Sequence, residues 1–188
     1  MSRNLLIMRH AKSDWGASRD FDRCLAKRGQ HDAPRMGAWM EAQGLKPDHV
    51  VSSPALRAME TVTLACEAMG ISGEEIDFDQ RIYEAGLNDL LNVLGNQPQD
   101  ANRVLLVGHN PGMEELVHYL WGDAVQLPPD ENLMPTATLA HLSLPDDWTA
   151  LEYGCGQFQS IIRPRSLSDL ALKCEPPRAS SKKTCTFS

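Results

Sequence analysis

Two arginines and two histidines are the residues of this sequence whose types suit chemistry on a phosphate group. They are Arg9, His10, Arg57 and His109. A neutral imidazole is a nitrogen nucleophile that can attack phosphorus, and the forked N–H groups of arginine fit the oxygens of a phosphoryl group. The four side chains therefore predict phosphoryl transfer, provided that the fold brings them to one place.

Three short apolar runs, at 5–8, 50–51 and 104–107, place these residues. Continuous apolar runs of this kind are typical of strands that are buried on both faces of a parallel sheet. Ligands of open α/β sheets bind in the crevice outside the carboxyl ends of the strands. Because Arg9 and His10 directly follow the first run, we expect them to lie over such a crevice.

The second and third runs each lead into a predicted helix. Ser53 and Asn110 each precede a proline, so we expect them to be the N-caps of these helices, with the prolines in the first turns. Arg57 then lies in the opening turn of one helix, and His109 is the last residue before the other. The free backbone N–H groups of both helix starts can bind an anion at the same crevice.

The segments RHAKSDW (9–15), SSPALRAMET (52–61) and LLVGHNPG (105–112) resemble the histidine phosphatase superfamily. Within it, they are most similar to the small SixA-type phosphohistidine phosphatases. The resemblance extends from about Leu5 to about Leu167. The superfamily signature is Arg-His-Gly at the end of the first strand, whereas this sequence has Ala11, a small residue that SixA-like relatives often accept.

The residues and the resemblance together predict a mechanism. We expect His10 to attack phosphorus and form a phosphohistidine that water then hydrolyses. Arg9, Arg57 and a protonated His109 should bind the phosphoryl oxygens, where charge is concentrated in the transition state. This set of positive groups replaces a metal ion, so neither a metal nor another cofactor is expected.

Three further residues are candidate members of the site, and each has an alternative interpretation. Ser13 matches a position where many relatives carry a phosphate-binding hydroxyl, but it could equally be a turn-forming serine. Glu84 lies where relatives outside the SixA branch often place a proton donor, but it could be a solvated surface carboxylate. Asp14 is the rival acid, and the sequence does not rank the two.

The order of the predicted elements indicates an α/β fold, a three-layer sandwich with helices on both faces of a mostly parallel, mixed sheet. A C-terminal hairpin should supply the antiparallel strands. We expect a single domain over 1–173 and a flexible tail over 174–188. The other predicted elements are helices over 27–43, from Ser53 to Gly70, over 87–94 and from His109 to Trp121, strands over 76–78, 137–144 and 151–162, a loop over 122–135 and a turn at 145–147.

Composition excludes several classes of function. The 188 residues contain 18 Lys and Arg against 25 Asp and Glu, a net charge of −7 that gives no support to a nucleic-acid partner. No run approaches the ~18 apolar residues of a membrane span. The five cysteines are odd in number and lack Cys-x-x-Cys spacing, which is typical of reduced thiols in a cytoplasmic protein.

Several alternative functions remain at this point. A zinc hydrolase would pair His10 and His109 with Asp14 or Glu84, but the neighbouring arginines would repel a divalent cation. Only a short helical stretch separates Glu84 from the next strand, so the site should be open and suit a protein-borne phosphohistidine. The alternatives are a phosphatase for a small phosphate ester and a catalytically inactive phosphate-binding module.

Overall fold

A six-stranded mixed sheet forms the middle layer of the structure, a computed structural model that describes residues 2–124 and 132–167. The sheet order is β3-β2-β4-β1-β5-β6, with the first four strands parallel and β5 and β6 antiparallel. The predicted mixed sheet with a C-terminal hairpin is confirmed. The strands are β1 (Arg3–Arg9), β2 (His49–Ser52), β3 (Ile76–Phe78), β4 (Arg103–Gly108), β5 (Leu139–Leu144) and β6 (Gln157–Ile162).

Four helices cover the two faces of the sheet. They are α1 (Lys27–Ala42), α2 (Leu56–Ala68), α3 (Leu87–Gly95) and α4 (Gly112–Trp121). In β1, Leu6 and Met8 pack into the core beneath α1 and α2, whereas Leu5 and Ile7 pack into the core beneath α3 and α4. Successive side chains of a strand point to opposite faces, so a strand between two helical layers must be apolar throughout.

Close packing around the first helix depends on two glycines. A Cβ atom on Gly37 would lie 2.1 Å from the carbonyl oxygen of Ala65 in α2, so only glycine allows the two helices to approach this closely. A Cβ atom on Gly29 would lie 2.2 Å from the carbonyl oxygen of Lys12. The first turn of α1 is thereby packed against the segment that follows β1, which carries His10.

Both helix starts near the crevice differ from the prediction. Ala55 is the N-cap of α2 and Pro111 that of α4, so the predicted caps Ser53 and Asn110 lie outside the helices. The predicted caps were wrong because their side chains have other partners. The Asn110 amide donates to the carbonyl of Met134 at 3.1 Å, and the partner of Ser53 is described with the site.

The C-terminal hairpin is also shorter than predicted. Strand β5 begins at Leu139 rather than 137, and β6 begins at Gln157 rather than 151. The N–H groups of Gly154 and Gly156 donate to carbonyls at the end of α4, at 2.8 and 2.7 Å. These hydrogen bonds hold the chain before β6 against α4 instead of β5, so a long connection replaces the turn predicted at 145–147.

Two predictions fall on parts of the chain that the structure leaves undescribed. The tail predicted at 174–188 lies outside the described residues, as do 125–131 of the predicted loop. The domain boundary at 173 therefore stays a prediction. In the described ranges, no helix is long and apolar enough to cross a membrane.

Candidate active site

The carboxyl end of the sheet brings the four predicted residues together. Arg9 ends β1, His10 follows it, and His109 follows the neighbouring parallel strand β4. The ring centroids of His10 and His109 are 5.1 Å apart. Arg57, in the first turn of α2, places its Nε 3.3 Å from Nε2 of His10. Residues about 100 positions apart in the sequence thus surround one small volume.

The ring of His10 is held in one orientation by contacts at both nitrogens. Nδ1 lies 2.7 Å from the carbonyl oxygen of Ala11, so we assign the ring proton to Nδ1. Nε2 accepts the N–H of Arg57 and therefore carries the lone pair. The N–H of Ala11 donates to the hydroxyl of Thr61 at 2.9 Å, which anchors this segment on α2. Nε2 is consequently the nitrogen available to attack phosphorus.

Burial keeps this nucleophile neutral. The His10 side chain is only 8% exposed. Loss of hydration on burial lowers the pKa of His10 to about 3, with smaller contributions in the same direction from His109, Arg57 and Arg9. The hydrogen bond to Ala11 opposes this shift without reversing it. The imidazole therefore has its lone pair at neutral pH without the help of a separate base.

Asp20 is a site residue that sequence analysis missed. Its carbonyl and its carboxylate accept Nη1 and Nη2 of Arg57 at 2.7 and 2.8 Å. The carboxylate also accepts from Arg23 at 2.9 Å and from the hydroxyl of Tyr83 at 3.1 Å. The bond from Arg23, followed by those from Arg57 and Tyr83, lowers the pKa of Asp20 to about 2. Asp20 thereby fixes the guanidinium of Arg57 with Nε towards His10.

The other two predicted phosphate ligands each have an unused nitrogen. Arg9 donates Nη1 to the carbonyl of Met134 at 2.9 Å, and its buried Nε has no hydrogen-bond partner in the described part of the chain. His109 places Nε2 2.8 Å from the hydroxyl of Ser53, and its buried Nδ1 likewise lacks a partner among the described residues. These two nitrogens are suited to donate to phosphoryl oxygens.

The expectation that His109 is protonated was wrong for the free protein. Burial, and then the charge of Arg57, lowers the pKa of His109 to about 4. The Ser53 hydroxyl accepts a backbone N–H at 3.3 Å, so its own hydrogen is available to donate to Nε2 of His109. In that arrangement Nδ1 of the neutral ring carries a hydrogen and can still donate to phosphate.

Ser13 and Asp14, both predicted as candidates, lie in the segment that follows His10. The hydroxyl of Ser13 is buried and accepts a hydrogen bond from Arg23 at 2.7 Å. The carboxylate of Asp14 is exposed and accepts the N–H of Trp15 at 2.6 Å. Ser13 therefore contacts the arginine that also holds Asp20, and Asp14 faces solvent.

Glu84, the other candidate acid, lines a cavity of about 410 Å³ together with Arg57 and His109. Its backbone has a positive φ of 54° at the turn before α3, which is uncommon for a residue other than glycine. Of the two acids that the sequence left unranked, Glu84 is the one that lies beside Arg57 and His109 in this cavity. The described lining of this cavity comprises Asp20, Arg57, Glu84, Ala85, Gly86, His109, Asn110, Pro111 and Glu115.

Comparisons with known proteins show the family to which the chain belongs. Residues 5–93 match the model of the histidine phosphatase superfamily (branch 1). A protein of Nakamurella multipartitia, assigned as phosphohistidine phosphatase SixA, is 28% identical and superposes with a TM-score of 0.74 over 87% of this chain and 97% of its own. The chain belongs to the histidine phosphatase superfamily. The resemblance that the sequence motifs indicated is thus confirmed.

Two further proteins are similar to the chain over more than two thirds of its length. A protein of Agrobacterium tumefaciens, also assigned as phosphohistidine phosphatase SixA, is 27% identical with a TM-score of 0.74 over 87% of this chain and 99% of its own. An uncharacterized chloroplastic protein of Arabidopsis thaliana is 30% identical over 137 residues, which are 68% of this chain. This match spans 63% of the length of the Arabidopsis protein.

The lowered pKa values predict an unusual titration of the two histidines. An exposed imidazole is half protonated at about pH 6.5. Because burial lowers the pKa values of His10 and His109 to about 3 and about 4, both rings should stay neutral on acidification to pH 5.5. A pH titration of the ring resonances by NMR checks this. A midpoint near 6.5 for either ring would contradict the burial of that ring in the folded protein.

Proposed function

We propose that this protein is a metal-independent phosphatase of the cytoplasm that removes phosphate from protein-borne phosphohistidine through a covalent intermediate on His10. The observation that carries the proposal is the orientation of His10, with Nδ1 on the carbonyl of Ala11 at 2.7 Å and Nε2 facing Arg57 at 3.3 Å. A fixed, neutral imidazole beside a guanidinium combines a nucleophile with a ligand for the group that it attacks.

Each residue of the site has its own role in the proposed reaction. Nε2 of His10 attacks phosphorus, the bond from phosphorus to the leaving group breaks, and water then hydrolyses the phosphohistidine. Arg9 and Arg57 donate to the non-bridging oxygens, where negative charge is held in the transition state. His109 donates from Nδ1, and a bound phosphate raises its pKa by charge, which favours protonation and a stronger hydrogen bond.

Two observations support a protein substrate. The stretch from Glu84 to β4 holds only α3 and its connections, with no inserted layer over the cavity. A site that is open among the described residues admits a histidine on the surface of another protein. In addition, the two bacterial proteins of 28% and 27% identity are both assigned as phosphohistidine phosphatases.

Steady-state assays test this proposal. We expect hydrolysis of p-nitrophenyl phosphate and of a phosphohistidine protein, with the higher kcat/KM for the protein. A higher kcat/KM for a small metabolite ester would contradict the proposed substrate. Binding of phosphate without turnover of any substrate would contradict the enzymatic function and indicate a phosphate-binding module.

Catalysis should not depend on a metal ion. Arg9 and Arg57 already supply the positive charge that a metal clamp provides at other phosphoryl-transfer sites. We expect kcat to be unchanged in excess EDTA, and we expect vanadate and tungstate to compete with substrate for the same donors. Loss of activity on chelation that one added divalent metal restores would contradict this prediction.

Glu84→Gln should affect substrates according to their leaving groups. An alkoxide is a poor leaving group and needs a proton, whereas p-nitrophenolate and a protonated imidazole leave readily. If Glu84 is the donor, kcat for an alkyl phosphate should fall on the order of 100-fold or more, with much smaller losses for p-nitrophenyl phosphate and phosphohistidine. Equal losses on all three would make Glu84 structural, and Asp14→Asn is the parallel variant for the rival acid.

A further inference from the structure

The wall of the active-site cavity carries three carboxylates beside the phosphate-binding groups. Asp20, Glu84 and Glu115 line it, and Arg57 is the one cation among the described lining residues. Because the lowered pKa leaves His109 neutral, the lining carries more negative than positive charge in the free protein. Such a wall is unexpected in a site for an anionic substrate, because carboxylates repel a phosphate group.

Two of these carboxylates have no hydrogen-bond or ion-pair partner in the part of the chain that the structure describes. Asp20 is bound to Arg57 at 2.8 Å and to Arg23 at 2.9 Å, so protein cations offset its charge. The exposed carboxylates of Glu84 and Glu115 have neither a hydrogen-bond nor an ion-pair partner among residues 2–124 and 132–167. Their charges therefore act on whatever enters the cavity.

A separate feature of the same cavity, an unpartnered nitrogen of His109, suits a phosphoryl oxygen. His109 is only 8% exposed, its Nε2 is bound by Ser53, and its Nδ1 is without a partner in the described part of the chain. This nitrogen and the nucleophile His10 lie on neighbouring rings, 5.1 Å apart between centroids. Glu84 and Glu115 line the same cavity as His109, so a substrate that extends from His10 into this cavity places its leaving group near these two carboxylates.

We propose that Glu84 and Glu115, together with Asp20, select leaving groups that are cationic or carry an N–H donor, and reject leaving groups that carry a carboxylate. This inference rests on the proposed phosphatase function and names the class of leaving group that the site accepts. A phosphorylated imidazole belongs to the accepted class. A phosphorylated hydroxy acid belongs to the rejected class.

The chemistry of a phosphorylated imidazole fits these carboxylates. The ring nitrogen that is not bound to phosphorus can carry a hydrogen and donate it in a hydrogen bond to Glu84 or Glu115, and a nearby carboxylate favours this protonated form. When Nε2 of His10 forms its bond to phosphorus, the electron pair of the breaking P–N bond goes to the leaving nitrogen. The leaving ring departs as neutral imidazole with its N–H retained, so no proton transfer from the protein is required.

Three matched monoesters test the selectivity by competition with p-nitrophenyl phosphate. Phosphoethanolamine, 2-hydroxyethyl phosphate and phosphoglycolate have similar size and end in an ammonium, a hydroxyl and a carboxylate. We expect inhibition constants to rise in that order, with a ratio on the order of 10-fold between the first and the last. Competition measures binding, so the result is independent of any role of Glu84 in proton transfer.

Substitution of Glu84 and Glu115 tests whether their carboxylates cause the selectivity among the three esters. In Glu84→Gln/Glu115→Gln the ratio should fall to about twofold, because any change in the binding of the phosphate is common to the three esters and cancels in the ratio. Glu67→Gln makes the same chemical change at the exposed, distal end of α2 and should leave the ratio as in the wild type. Asp20 is left intact because its removal would also release Arg57.

Two outcomes would overturn this inference: equal inhibition constants for the three esters in the wild type, or an undiminished ratio in the double variant. Failure of the proposed function is distinguishable from both. A protein that hydrolyses neither p-nitrophenyl phosphate nor a phosphohistidine protein would refute the proposed function. The order of affinities for the three esters could then still be measured by calorimetry.

Discussion

His10→Ala should lower kcat on p-nitrophenyl phosphate by on the order of 10⁴-fold or more, because the variant has no nucleophile in the site. In the assigned tautomer of His109, Nδ1, which has no partner among the described residues, carries the ring hydrogen and has no lone pair for attack. Arg9 and Arg57 remain, so the variant should still bind vanadate. Loss of turnover with retained oxyanion binding would separate the role of His10 in catalysis from a role in folding.

The matched control for this variant is His118→Ala. His118 is an exposed histidine of α4 and lies outside the lining of the active-site cavity. This change should alter kcat by less than about twofold, as is usual for surface substitutions. Substantial activity in His10→Ala would contradict the mechanism, whatever the control shows.

Arg57→Lys should lower kcat by on the order of 10-fold to 100-fold, although it conserves charge. The guanidinium contacts His10 through Nε while Nη1 and Nη2 are held by Asp20. A lysine ammonium cannot reproduce three donors in this planar arrangement. The nucleophile and the phosphoryl oxygens would therefore lose an oriented ligand, and kcat should fall more than KM rises.

Arg28→Lys provides the corresponding control on α1. Arg28 also pairs with an aspartate, Asp32 at 3.2 Å, but its side chain is 49% exposed and it does not line the cavity. We expect a change of less than about twofold in kcat there, because exposed ion pairs contribute little. Equal effects of the two substitutions would contradict the proposed contact between Arg57 and substrate.

The four central residues were predictable because local sequence determines where each lies. An apolar run that ends in Arg9 and His10 predicts a buried strand with both side chains at its carboxyl end. His109 follows a second such run, and parallel neighbours place their carboxyl ends at the same edge of the sheet. Period and polarity along short segments, together with the resemblance to the superfamily, therefore predicted that these residues meet.

Asp20 could not be predicted in the same way. It belongs to a polar segment with several other charged residues, and its contact with Arg57 spans 37 positions in the sequence. Neither spacing nor polarity distinguishes it from Asp22, which is paired with Arg19 on the surface. An acidic residue between the arginine-histidine pair and α1 was the available signal, but its partner is decided by tertiary structure.

Errors at the element ends have a similar origin. Ser53 has the residue type of an N-cap, but its hydroxyl lies 2.8 Å from a ring nitrogen of His109. The preference of serine for an N-cap position is thus overridden where its side chain makes another contact in the site.

The protonation state of His109 was mispredicted because burial lowers its pKa, and burial is a property of the whole fold.

The most direct test of the mechanism is to trap the phosphorylated enzyme. Rapid mixing with a labelled substrate, an alkaline quench and peptide mapping should place phosphate on Nε2 of His10, in a linkage that is stable to alkali and labile to acid. The label should be absent from His10→Ala and present in His118→Ala. Turnover of substrate without any label on His10, or a label on another residue, would contradict the mechanism.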